Sequence, residues 1–115
     1  MMGNQTPLTP AMFNVLLALA GEDLHGYAIL KDVAEQTGGE VQLSTGTLYG
    51  IIKRLLAEGL IVEARRRPVE NDDARRRYYH LTDAGREIAV AEARRMEKLV
   101  ARARSKQLIR AFKPL

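Results

Sequence analysis

The sequence predicts a mainly α (α+β) chain in which three short helices precede a two-stranded antiparallel hairpin and one long helix follows it. Three observations carry this reading. Apolar residues recur at helical spacing in three blocks before residue 60, each followed by glycine. Two short β-branched or aromatic runs then flank a segment of turn chemistry. From Asp83 to about Arg110 there is no proline, and alanine and arginine, both good helix formers, dominate.

The first helix opens at Thr9-Pro10, where threonine caps free backbone donors and proline at the first helical position gives up an N–H that had no partner. Met12, Phe13, Leu16, Leu17, Leu19 and Ala20 follow at helical spacing, and Gly21 ends it. A second helix is expected from about Gly26 to Thr37. Tyr27, Leu30, Val33 and Ala34 form its apolar row with Ile29 beside them, while Lys31, Asp32 and Glu35 take the wet side. Gly38-Gly39 is its stop, because glycine accepts the left-handed conformation that terminates helices.

In the third helix Ser44 is the N-cap and Leu43 reaches over to Leu48 as a hydrophobic staple. Leu48, Ile51, Ile52, Leu55 and Leu56 make one apolar face, and Gly59 closes the element. The period then changes. Leu60 to Glu63 and Tyr78 to Leu81 read as strands, and between them lies RRRPVENDDARRR, whose Pro68 and Asn71-Asp72-Asp73 are turn residues. A hairpin alone is marginally stable, so it must pack on the helices.

Thr82 caps the last helix. Ala89, Ala93, Met96, Val100, Ala103 and Gln107 alternate steps of four and three, with Leu99 and Leu108 nearby, which is a heptad-like seam. A helix from Asp83 to Arg110 would run roughly 40 Å, beyond what so small a core can cover. A second copy of the chain is the simplest partner, making a homodimer with Ala89, Ala93, Met96, Val100 and Ala103 of this helix as its expected interface. The chain thus divides into residues 1–81, a compact head, and 82–115, a dimerisation helix.

Composition excludes whole classes of function. A chain of 115 residues holds one domain with its own core and cannot build a doubly wound or barrel enzyme. The absence of cysteine removes disulfides, thiolate zinc sites and thiol nucleophiles together. His25 and His80 stand far apart with no carboxylate pattern supplying a base and its orienter, and Glu70, Asp72 and Asp73 lack the spacing of a calcium loop. No enzyme, metal or cofactor is expected. The stretch AMFNVLLALA at residues 11–20 has the look of a signal peptide, but no Lys or Arg precedes Lys31 and ten residues cannot span a bilayer. It reads as a core helix in a cytoplasmic protein.

Charge is segregated. The net +4 is made of a hairpin segment with six Arg against three acids, a tail from Lys98 with six basic residues and no acid, and a negative remainder. That is the pattern expected when particular elements face a polyanion.

Helix, helix, helix, hairpin is the order of a winged helix-turn-helix, in which the third helix enters the DNA major groove and the hairpin tip touches the flanking backbone or minor groove. On the third helix Ser44, Thr45, Thr47, Tyr49, Lys53 and Arg54 offer hydroxyls and cations away from the apolar face. On the wing, Arg75, Arg76 and Arg77 are the arginines most available to phosphate, since the acids at the tip pair readily with Arg65 to Arg67.

At this point the residues match a family. His25-Gly26-Tyr27, Gly46-Thr47-Leu48-Tyr49, Leu55, Gly59-Leu60, Arg77-Tyr78-Tyr79 and Leu81-Thr82 with Gly85 resemble, in order and spacing, the signature of PadR-type transcriptional regulators, over about residues 8 to 110. The short subfamily with a single C-terminal dimerisation helix is the nearer match. The resemblance implies a homodimeric repressor of a palindromic operator in double-stranded DNA, with the first helix, through Phe13 and Leu16, joining the last in the dimer interface, Tyr49 and Lys53 on the DNA backbone, Arg77-Tyr78-Tyr79 supporting the wing, and His25-Gly26-Tyr27 packed against the core. It also implies a small hydrophobic or aromatic effector in some members. This chain departs from the pattern in having Gly50 where proline often follows the tyrosine, and in lacking tryptophan. The competing reading is a winged-helix module for protein contact, favoured by the acidic tip.

Overall fold

A computed structural model describes residues 8–64 and 76–110. The elements run α1 (Pro10–Gly21), β1 (Leu24–His25), α2 (Gly26–Gln36), α3 (Thr45–Ala57), β2 (Ile61–Glu63), β3 (Tyr78–Leu81) and α4 (Asp83–Ser105). Most of the expected tip, Pro68 and Asn71-Asp72-Asp73 with Arg65 to Arg67 and Arg75, lies outside the described residues.

Side chains placed at helix starts do what their chemistry allows. Thr9 Oγ1 accepts the Met12 N–H at 3.1 Å, Ser44 Oγ the Thr47 N–H at 3.1 Å and Thr82 Oγ1 the Gly85 N–H at 3.0 Å. The second helix uses an unusual cap, His25, whose Nδ1 accepts the Ala28 N–H at 3.2 Å. Left-handed glycines Gly38, Gly39 and Gly59 end α2 and α3 where the sequence predicts.

Helix α1 is apolar on nearly every side, and it occupies the middle of the molecule accordingly. Met12, Phe13, Val15, Leu16, Ala18 and Leu19 are all buried, against Ile29 and Val33 of α2, Leu48, Ile52 and Leu55 of α3, and Leu60, Ile61, Tyr79 and Leu81 around the sheet. The core face of α2 differs from the expected one. It is Gly26, Ile29 and Val33; Leu30 and Ala34 are half-buried and Tyr27 is 66% exposed. Ile29 and Val33 lie one turn apart on the inner row, and Tyr27, two residues before Ile29, falls on the opposite side.

The sheet has three strands rather than two, in the order β1-β3-β2, all antiparallel. Leu24 and His25 lie opposite Tyr79 and Tyr78, and Ile61, Val62 and Glu63 lie opposite Leu81, His80 and Tyr79. The added strand puts β3 in the centre, so Tyr78 and Tyr79, on opposite faces, are both buried. Tyr78 meets the His25 ring edge-on, centroids 5.2 Å apart.

Between the end of α3 and the start of α4 the chain forms a tight joint. The Thr82 N–H donates to the Leu60 carbonyl at 3.1 Å and its hydroxyl to the Gly59 carbonyl at 2.7 Å. Gly85 lies so close that a Cβ there would collide with the Leu60 carbonyl oxygen and the Leu81 side chain. Helix α4 then ends at Ser105, not near Arg110. Gln107 takes a left-handed conformation (φ 62°), and the Gln107 and Leu108 N–H groups bond the carbonyls of Arg104 and Ala103, both at 2.9 Å. That is a Schellman ending built on glutamine.

Candidate nucleic-acid interface

Helix α3 turns Leu48, Ile52 and Leu55 inward, so the helical repeat leaves Thr45, Gly46, Tyr49, Gly50 and Lys53 on one exposed strip. Ser44 and Thr47 stand exposed at its start. Their hydroxyls are joined, Ser44 Oγ donating to Thr47 Oγ1 at 2.9 Å, while Ser44 also caps. Arg54 leaves this strip: half-buried, its Nε donates to Glu58 one turn on, at 2.9 Å.

Arg76 and Arg77 are exposed at the head of β3. Arg77 Nη1 lies 3.3 and 3.5 Å from the two carboxylate oxygens of Glu63 on the neighbouring strand. Arg75 lies outside the described residues.

These pieces converge on a cleft of about 330 Å³ lined by His25, Gly26, Tyr27, Tyr49, Arg76, Arg77 and Tyr79. It joins the start of α2, the middle of α3 and the head of β3. The Tyr49 ring lies over Gly26 with its hydroxyl where a Cβ would sit, which is the packing reason for glycine there. Tyr79 is 6% exposed, and burial, reinforced by the neighbouring Tyr49 and Glu63 and opposed by Arg77, pushes its hydroxyl pKa up. It stays protonated and able to donate. The sequence reading missed Tyr27 and Tyr79 as members of this site, and Glu63 as a neighbour of it. The pairing of β1 with β3 brings the start of α2 to Tyr79, and a strand of two residues carries no period to announce it.

His80 and Asp23, also unpaired in the sequence reading, lie 2.7 Å apart across the surface and tie β3 to the turn before β1. Among the described residues no group of three or more metal-ligating side chains is assembled, and no helix is long and apolar enough to cross a membrane.

Of the residues expected at a subunit interface, Leu16 is enclosed by the chain's own core, and Phe13 and Ala89 are almost so. The first half of α4 spends its apolar face on α1 and the core, through Gly85, Ile88, Ala89 and Met96. Beyond it Ala93 and Val100 are exposed and Ala103 half-buried, and Leu99 (52%) and Leu108 (79%) stand in the open.

Residues 15–91 match the Transcriptional regulator PadR-like family. A crystal structure of a PadR family transcription regulator from hypervirulent Clostridium difficile superposes with a TM-score of 0.69 at 25% identity, covering 86% of this chain and 98% of that one. A transcriptional regulator from Clostridium thermocellum gives 0.66 at 25% identity, over 84% and 87%. In sequence the chain is 44% identical over 92 residues to an uncharacterized 37.1 kDa protein in transposon TN4556 of Streptomyces fradiae; the match takes 80% of this chain but 24% of that protein, so the chain spans about a quarter of that relative's length.

Proposed function

The chain belongs to the PadR-like family of transcriptional regulators, and from that premise we propose that it is a homodimeric, sequence-specific DNA-binding repressor acting in the cytoplasm. The observation that carries this is the exposed strip Thr45, Gly46, Tyr49, Gly50 and Lys53 on α3, flanked by the arginines at the head of β3. Small groups and backbone at the helix start approach base edges in a major groove; Lys53 and Arg76 hold phosphates on either side. Hydrophobic Leu99, Val100 and Leu108, left bare by one chain, are the surface a second copy covers.

Selecting bound duplexes from a random pool tests the reading directly. The expected outcome is an inverted repeat whose half-sites lie about one helical turn, or a multiple, apart. A pool that yields no enriched sequence, or a chain that stays monomeric in sedimentation at micromolar concentration, would refute it. Lys53→Ala and Arg76→Ala should each weaken binding to unrelated duplexes alike and reduce the slope of log K against log salt by about 1.

A depression of about 630 Å³ runs along α4 past Asp83, Arg86, Val90 and Arg94, and its described lining is all α4. A ligand enclosed there needs a second wall, which a dimer supplies.

A further inference from the structure

We infer that Glu63 tunes, and Tyr27 and Tyr79 complete, a DNA phosphate contact in the cleft between α2, α3 and β3: beside Tyr49 the two tyrosines donate hydroxyl hydrogens, and Arg77 exchanges Glu63 for phosphate. The inference rests on the DNA-binding reading and deepens it.

Topography comes first. In a duplex the sugar-phosphate chain is the ridge that separates major groove from minor groove. If α3 lies in one groove and the β2–β3 wing in the next, that ridge must pass between them. The space between them is the cleft, with Tyr49 of α3 on one wall and Arg76 and Arg77 of β3 on the other.

Chemistry agrees. The described lining holds three phenolic hydroxyls, two guanidinium groups and no carboxylate, a set of donors matched to a phosphodiester. Tyr79, a phenol protonated at neutral pH whose pKa burial pushes further up, has a hydrogen to donate. Tyr49 lays its hydroxyl against Gly26. Tyr27, the exposed aromatic that the core does not use, acquires a role.

Glu63 stands just outside the lining and pairs with Arg77. Both side chains are more than half exposed, 51% and 69%, and such pairs are weak enough to be exchanged. A phosphate entering the cleft therefore competes with a carboxylate for one guanidinium, and Glu63 sets a ceiling on affinity that does not depend on base sequence.

The test measures duplex affinity against salt, by fluorescence anisotropy, for several unrelated duplexes. Glu63→Gln should tighten binding to all of them by roughly two- to fivefold. Tyr27→Phe should weaken all of them by a similar factor with the salt slope unchanged, since it removes a neutral donor. Arg77→Gln should weaken binding, reduce the slope by about 1 and abolish most of the gain from Glu63→Gln in the double variant. A gain of affinity cannot come from misfolding, and a free-nucleotide site would leave duplex affinity unmoved. If the unsubstituted protein binds duplexes and the Glu63 and Tyr27 variants match it, the cleft assignment is wrong and the DNA-binding reading stands. If the unsubstituted protein binds no duplex at any salt, both fall.

Discussion

Gly26 illustrates how a residue with no side chain can position a neighbour in the proposed DNA contact. The missing Cβ leaves the space that the Tyr49 hydroxyl occupies, so two motifs 23 positions apart are one packing unit. Gly26→Ala forces that hydroxyl away. Tyr49 is already 47% exposed, so the ring can leave at little cost to the fold. The expected result is a melting temperature within a few degrees of the unsubstituted protein and a several-fold loss of duplex affinity; a large loss of stability with binding retained per folded molecule would refute it. The tyrosine and glycine were both legible in the sequence as family motif, but their contact was not, since it depends on the crossing of α2 and α3.

Caps and stops were the most legible layer of the elements, because they are local chemistry. Thr9, Ser44 and Thr82 each bind the N–H three residues on, and the left-handed Gly38, Gly39 and Gly59 lie at the ends the sequence marks. Legibility failed where local signals are weak. Strand β1 is two residues long, and α4 stops at Ser105 with neither glycine nor proline to announce it. Gln107 instead bears a conformation that costs a side-chain residue about 1 kcal/mol. Gln107→Gly should relieve it and raise amide-exchange protection in the last turn of α4 by up to about fivefold. Gly85 makes the opposite prediction. Its Cβ would meet backbone, which cannot swing aside, so Gly85→Ala should lower stability by roughly 3 kcal/mol in a denaturant titration.

At the scale of the whole molecule, the described residues leave an apolar face of α4 uncovered. The core takes up the first half of α4, and the second half carries Leu99 and Val100 into solvent. The seam spacing pointed to a partner and the family resemblance added Phe13 and Leu16 of α1; within one chain those two and Ala89 lie in the core, and periodicity distinguishes an apolar face without saying which neighbour covers it. Leu99→Asp places a charge on the open face and spares the core. It should weaken self-association at least tenfold in sedimentation equilibrium, and weaken duplex binding with it, while the circular dichroism of the monomer persists.

The joint at Thr82 has a mechanical corollary. With one hydroxyl bolting the start of α4 to the end of α3, and Gly85 pressed against the Leu60 carbonyl, no slack separates the two helices. The tail is then a rigid lever on the reading head. In the proposed two-fold assembly, the angle at which the two levers cross would fix the gap between the heads.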